Sequence, residues 1–239
     1  MIRAIVFDFG QTLVDSSEGF RLAEKEAQEK AFAALGLTDR EAFLSAYRAI
    51  RTGFHARSRF SRKAIFEEVF RRFGKNPDLL LLERWENDYW RRVQAMTRVF
   101  PETGEVLRTL RERAYRLAMI TNAQGQEEEG QHRLGNYPEL EHLFDVVVVA
   151  GEGGIPPKPD PVPFLICLEM LGLAPEEAVY VGDDWRIDIQ GAKAVGIQPI
   201  WLKHHLVRRN WPAVETAAPV IDSLEALLDV EEILKGVKK

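Results

Sequence analysis

The sequence predicts an α/β fold, a doubly wound parallel sheet with a bundle of α-helices inserted into it. Two observations support this prediction. Short apolar runs rich in valine and isoleucine alternate with helix-like segments, which is typical of a parallel sheet buried on both faces and joined by right-handed crossovers. In addition, residues 16–98 show the helical spacing of apolar residues and no strand-like run.

The first predicted strand ends just before Asp8, and four more follow the helical interval. The five segments are residues 2–7, 116–121, 144–150, 178–182 and 198–202. Helical patterns lie between or after them, at about 102–114, 125–135, 160–172, 186–195 and 223–235. This alternation indicates a sheet with helices on both faces.

The interval between the first and second strands is divided by turn signals at residues 36–39, 52–53 and 74–78. These breaks predict about four helices packed as a bundle. We therefore expect two domains, an α/β catalytic core of residues 1–15 and 99–239 and a helical cap of residues 16–98.

Composition excludes several classes of protein. A formal net charge of -5 with no clustered basic excess argues against a nucleic-acid partner. The lone cysteine, Cys167, rules out an internal disulfide framework and fits a reducing compartment. No stretch resembles a signal peptide, and no apolar run reaches the length of about 18 residues that a membrane helix needs. We expect a cytoplasmic protein without a membrane partner.

Polar residues follow the predicted strands at the edge where open parallel sheets bind ligands. They are Asp8, Thr121, Asn122, Lys158, Asp183, Asp184 and Asp188. Each has an ordinary explanation by itself, as a turn residue, a helix cap or a solvated loop lysine. Their common position, at the carboxyl ends of neighbouring strands, favours a functional site.

Electrostatics indicates what such a site would bind. Four aspartates close together repel one another unless cations compensate them. Lys158 offsets one charge, and a divalent cation would offset two more. Hard oxygen ligands without a histidine or cysteine cluster favour Mg²⁺ over Zn²⁺. The pattern therefore predicts metal-assisted phosphoryl transfer with one aspartate as the nucleophile.

Taken together, these motifs resemble those of the haloacid dehalogenase-like (HAD) hydrolases, in the phosphatase-like branch that has a helical cap after the first core strand. "DFGQT" resembles the first family motif, "ITN" the second, "KPDP" the third and "GDDWRIDIQGA" the fourth. They occur in the expected order between residue 2 and about residue 202. The resemblance implies a Rossmann-like core and a phosphoric monoester hydrolase acting on a small phosphorylated substrate.

The resemblance also implies roles for individual residues. Asp8 would be the nucleophile that forms an aspartyl-phosphate, and Lys158 would neutralise both the nucleophile and the phosphate. Thr121 and Asn122, with Lys158, would bind the phosphoryl group. The metal ligands would be Asp8, Asp183 and the backbone carbonyl of Gly10, with Asp188 or Asp184 as a second acidic partner.

Gly10 departs from the family pattern. Phosphatases of this family usually carry a second aspartate there, which protonates the leaving oxygen and later activates water. Such assistance is worth about 10² to 10⁴ in rate, and glycine cannot supply it. The sequence thus predicts a phosphatase that is slow or limited to good leaving groups. Two alternatives stay open: a phosphate-binding regulatory protein with little turnover, and a 2-haloacid dehalogenase, which also lacks the second aspartate but needs no metal.

Overall fold

The computed structural model describes residues 1–123 and 132–236. Its strands form one six-stranded sheet and one two-stranded pair. In chain order they are β1 (Ala4–Phe7), β2 (Val14–Asp15), β3 (Arg98–Val99), β4 (Arg116–Asn122), β5 (Val146–Ala150), β6 (Ala178–Gly182), β7 (Gln198–Leu202) and β8 (Val220–Ile221). The predicted fold class, an α/β protein with a doubly wound parallel sheet, is confirmed.

The large sheet has the order β5-β4-β1-β6-β7-β8, and every neighbouring pair is parallel. The chain moves outward from β1 in one direction through β4 and β5, and in the other through β6, β7 and β8. The strand order therefore reverses at β1. Ligands bind outside the carboxyl ends of the strands at such a reversal, and three of the four sequence motifs lie at the carboxyl ends of β1, β4 and β6.

The helices lie between or after the strands. They are α1 (Ser17–Leu35), α2 (Arg40–Ala56), α3 (Arg62–Arg72), α4 (Leu79–Met96), α5 (Thr103–Glu112), α6 (Pro138–Glu141), α7 (Pro161–Leu171), α8 (Gln190–Ala194) and α9 (Val230–Gly236). None of the described helices is both long enough and apolar enough to cross a bilayer.

Strand β1 shows why these segments form a buried sheet. Ile5 and Phe7 enter one apolar cluster, which includes side chains of α5, whereas Ala4 and Val6 enter a second cluster on the opposite face, which includes side chains of α7. Successive strand residues point to opposite faces, so a continuous apolar run covers both. The lone cysteine belongs to the second cluster, where burial raises the pKa of the Cys167 thiol to about 12.

The chain divides into two compact units. One consists of Met1–Asp15 and the described part of Arg98–Lys239, and the other is Ser16–Thr97. The second unit contains the four helices α1 to α4 around its own apolar core. Local signals set the helix starts: Asp39, Ser61 and Asp78 each accept hydrogen bonds from backbone N–H groups of the first turn. That this unit acts as a cap stays a prediction.

Some predicted boundaries were wrong. The break expected at residues 52–53 does not exist, because α2 continues to Ala56. Phe54 lies in the apolar core of this unit two helical turns after Tyr47, and burial of that face outweighs the cost of about 1 kcal/mol for a glycine within a helix. The chain turns after Arg57 instead, with Ser58 at φ 53°.

Other differences concern the core unit. Of the helix predicted at 125–135, residues 125–131 lie outside the described residues, and Arg133–Asn136 forms a 3₁₀ turn. The helix expected at 186–195 begins as a π-helical turn, and the one at 223–235 begins as a 3₁₀ turn. The short strands β2, β3 and β8 were not predicted, since two-residue strands carry no periodicity to detect.

Candidate active site

Lys158 lies at the centre of the candidate site and is 1% exposed. Its Nζ lies 2.8 Å from Oδ1 of Asp8 and 2.8 Å from Oδ1 of Asp188. The same atom lies 2.8 Å from the Ile120 carbonyl oxygen and 2.8 Å from the Tyr180 hydroxyl. An ammonium group has three hydrogens, so these four neighbours satisfy it completely and fix its position.

The charges around Lys158 are mutually dependent. Burial alone would lower the pKa of Lys158, but the carboxylates of Asp188 and Asp8 outweigh that effect and raise the pKa above its ordinary value. Burial, together with the same two carboxylates, raises the pKa of the Tyr180 phenol well above its usual range. The lysine therefore stays charged and the phenol stays neutral at physiological pH.

Asp8 is the most accessible member of this group. Its side chain is 14% exposed, against 1% for Lys158 and 2% for Asp188. While Oδ1 is held by Lys158, Oδ2 lies 3.5 Å from the Thr12 hydroxyl, a distance too long for a strong hydrogen bond. One oxygen of Asp8 is thus oriented and the other is available to react.

Three carboxylates form a group that could hold a cation. One oxygen each from Asp8, Asp183 and Asp188 lies within 4.8 Å of the others. Burial, and repulsion from Asp188 and Asp8, raise the pKa of Asp183 well above its usual range, although the guanidinium of Arg209 opposes the shift. An all-oxygen set of this kind suits a hard cation, so the residues present fit a Mg²⁺ site.

The two candidates for the second acidic partner lie in different surroundings. Asp188 belongs to the carboxylate group, accepts a bond from Lys158 at Oδ1 and one from the Asp184 backbone N–H at Oδ2. Burial raises the pKa of Asp188 to about 6 against the opposing effect of Lys158. Asp184 instead caps the following turn, because its Oδ1 accepts the N–H groups of Arg186 and Ile187, 2.9 Å away in both cases.

Thr121 and Asn122 end β4 next to this group, and both are buried. The Asn122 carboxamide bonds the backbone of Lys158: its Oδ1 accepts the Lys158 N–H at 2.8 Å, and its Nδ2 lies 3.5 Å from the Lys158 carbonyl. In this structure the Asn122 side chain thus positions the lysine. Binding of a phosphoryl group by Thr121 and Asn122 stays a prediction.

Gly10 follows β1 and pairs with Val14 in an isolated bridge. Its φ is not positive, whereas that of its neighbour Gln11 is 60°. Nothing in the backbone conformation at position 10 therefore demands glycine. A Cβ at this position would lie 3.5 Å from Nη1 of Arg133, which is an ordinary van der Waals contact.

Sequence reasoning missed four residues of this region. Tyr180 contacts Lys158 from within β6, Arg209 forms an ion pair with Asp183, and Trp201 donates its Nε1 hydrogen to the Asp183 carbonyl at 2.9 Å. Arg133 lies beside Gly10. Of these four, only Tyr180 could have been noticed from the sequence, because it places a phenol in the otherwise apolar strand "AVYVG".

Fold and site together define an α/β protein with a partly exposed aspartate, a buried lysine and a group of three carboxylates at the carboxyl edge of the sheet. The family model described as haloacid dehalogenase-like hydrolase matches residues 2–196. The chain belongs to the haloacid dehalogenase-like hydrolase family, as its motifs predicted.

Individual relatives extend this comparison. The chain is 31% identical to a glyceraldehyde 3-phosphate phosphatase of Methanopyrus kandleri, over 96% of this chain and 97% of that one. It is similar in structure to a HAD phosphatase from Thermococcus onnurineus, with a TM-score of 0.66, 26% identity and coverage of 96% and 98%. A 2-haloacid dehalogenase from Pseudomonas syringae has a TM-score of 0.64 and 25% identity, with coverage of 98% and 99%. The phosphatases among these relatives agree with the enzyme class predicted from the sequence.

Proposed function

We propose that this protein is a Mg²⁺-dependent hydrolase of small phosphate monoesters that works through an aspartyl-phosphate at Asp8. One observation carries this proposal: the Lys158 ammonium is fixed 2.8 Å from one oxygen of the carboxylate that is the most exposed of its group. A buried cation in that position orients the nucleophile and offsets the negative charge that a phosphate brings.

In the first step the free oxygen of Asp8 attacks phosphorus, and the bond between phosphorus and the ester oxygen breaks. The leaving oxygen keeps the electron pair and is protonated by water. In the second step water attacks the aspartyl-phosphate, which releases phosphate and restores the carboxylate. Throughout, Lys158 holds Asp8, and Thr121 and Asn122 at the end of β4 contact the phosphoryl oxygens.

The ligands of the metal would be Asp8, Asp183 and the backbone carbonyl of Gly10. When bound, Mg²⁺ supplies charge neutralisation and open coordination positions for phosphate oxygens. The guanidinium of Arg209 forms an ion pair with Asp183 and would therefore compete with a metal for that carboxylate.

Gly10 bears on the substrate range. Without a proton donor at this position, departure depends on the stability of the leaving oxygen itself. Aryl and acyl phosphates should therefore react faster than alkyl phosphates in the unmodified enzyme. A relative is named a glyceraldehyde 3-phosphate phosphatase. We therefore propose small phosphate monoesters as the substrate class, with aliphatic esters of that kind reacting slowly.

Hydrolysis of p-nitrophenyl phosphate with Mg²⁺ or with EDTA tests the proposal. We expect metal-dependent turnover that Asp8→Asn reduces to below a few per cent while circular dichroism stays unchanged. Asp229→Asn, an exposed aspartate outside the site, is the matched control. Metal-independent release of halide from 2-chloropropionate would support the dehalogenase instead. Phosphate binding without turnover would support the regulatory protein.

A further inference from the structure

Arg133 occupies the space toward which a side chain at position 10 would point. A Cβ built on Gly10 lies 3.5 Å from Nη1 of Arg133, and no other described atom outside its chain neighbours comes within 4 Å. Position 10 follows Asp8 by two residues at the carboxyl edge of the sheet. The guanidinium of Arg133 thus lies beside the position at which phosphatases of this family usually carry the second aspartate.

The arginine is held there by its surroundings. It is 8% exposed, and its guanidinium carbon lies 5.2 Å from the centre of the Phe9 ring. Its backbone belongs to the 3₁₀ turn Arg133–Asn136, in which the Asn136 amide donates to the Arg133 carbonyl at 3.2 Å. The next residue, Leu134, is completely buried in the core. A preorganised cation of this kind needs no reorganisation during a reaction.

We propose that Arg133 is a catalytic residue that binds the leaving oxygen, donating hydrogen bonds and stabilising its negative charge instead of protonating it. This inference rests on the proposed function. As the phosphorus–oxygen bond breaks, the electron pair stays on the leaving oxygen beside the guanidinium, and water then supplies the proton. Arginine has a pKa above about 12 and cannot act as a general acid near neutral pH.

The same geometry changes what restoring a carboxyl would achieve. In Gly10→Asp the new carboxylate would be within hydrogen-bond reach of Arg133. A carboxylate beside a guanidinium forms charge-assisted hydrogen bonds with it, so the new group would occupy the arginine. By itself, Gly10→Asp should therefore give no gain with alkyl esters.

The test compares β-glycerol phosphate, an alkyl ester, with p-nitrophenyl phosphate, whose leaving group is stable without help. Removing one preorganised donor should lower kcat/KM of Arg133→Gln for the alkyl ester by about 10² to 10³, and for the aryl ester by less than about fivefold. Arg133→Lys should recover part of the alkyl activity. Arg108→Gln, which removes an exposed arginine of the same unit, is the matched control and should change neither.

A double variant provides the sharper measurement. Relative to Arg133→Gln, the combination Gly10→Asp with Arg133→Gln should regain alkyl activity, by up to about the 10² to 10⁴ of a positioned acid. Equal losses for both esters in folded Arg133→Gln, or full alkyl gain in Gly10→Asp alone, would overturn the role of Arg133. If Arg133→Gln does not fold, the alkyl and aryl ester activities of Gly10→Asp and Arg133→Lys still test the role of Arg133. Absence of turnover in the unmodified enzyme counts against the proposed function instead.

Discussion

Replacing Lys158 by methionine should destabilise the core unit, because it leaves two acids without their cation. The substitution keeps the length of the side chain and removes its charge. Lys158 is 1% exposed, and its Nζ lies 2.8 Å from both Asp8 and Asp188. Removing one partner of a buried ion pair costs about 3–5 kcal/mol of the free energy of unfolding. At about 2–4 °C per kcal/mol for a chain of this size, Tm should fall by roughly 6–20 °C.

This loss should depend on pH in a defined direction. Burial already raises the pKa of Asp188 to about 6 with Lys158 opposing the shift, and without the lysine that pKa rises further. A group whose pKa is higher in the folded state than in the unfolded state loses stabilisation as pH rises through the folded value. The difference in Tm between variant and unmodified protein should therefore be smaller at pH 5 than at pH 8.

Calorimetry in EDTA at pH 5, 6, 7 and 8 measures both effects, and it resolves the two compact units if they unfold separately. Lys193→Met, an exposed lysine in α8, is the matched control and should leave Tm unchanged. A fall of less than about 2 °C for Lys158→Met, or an equal fall at pH 5 and pH 8, would show that the buried charges are compensated in another way.

Three further predictions concern the same edge of the sheet. Millimolar Mg²⁺ should raise the Tm by binding the carboxylates of the folded protein, and Asp183→Ala should lose most of that rise in a thermal melt. If the unmodified protein shows no rise, or the variant shows the same rise, the metal assignment is contradicted. Arg209→Gln should bind Mg²⁺ more tightly in isothermal titration calorimetry, because the guanidinium no longer competes for Asp183, and weaker binding would show that the arginine supports the site. Gly182→Ala should lower the free energy of unfolding in urea by about 1–3 kcal/mol, because the new Cβ would lie 2.5 Å from the Asp188 side chain. Gly135→Ala is the control, since a Cβ at that position would have no neighbour within 4 Å.

The sequence predicted the sheet well because its strands are buried on both faces. A run such as "AVYVG" admits few alternatives, and its strand was predicted residue by residue. The common edge of the site followed from the parallel arrangement, since Asp8 and Asp183 each come directly after a strand. The prediction of a helix break at residues 52–53 was wrong, because burial of Phe54 in the apolar core of the helical unit outweighed the local turn signal.

What could not be predicted involves contacts between residues distant in the chain. Arg209 lies 26 positions from Asp183, in a segment with no regular periodicity, and nothing local indicates that they meet. Arg133 and position 10, which also lie close together in space, are even farther apart in the sequence. Asp184 and Asp188 could not be ranked because both follow β6 closely, and only the conformation of the intervening turn determines which one faces Lys158.

The two ends of the inserted helical unit meet each other. Val14–Asp15 pairs antiparallel with Arg98–Val99, and inside the unit the hydroxyl groups of Thr97 and Ser16 are hydrogen-bonded at 3.0 Å. Chain entry and chain exit therefore lie side by side, so a helical unit of another length could be joined to the core at the same two points. Because closing a longer loop costs only slightly more entropy, such a junction allows genes to recombine there. A different helical unit could then be joined at the pair β2–β3 while the order of the six-stranded sheet stayed the same.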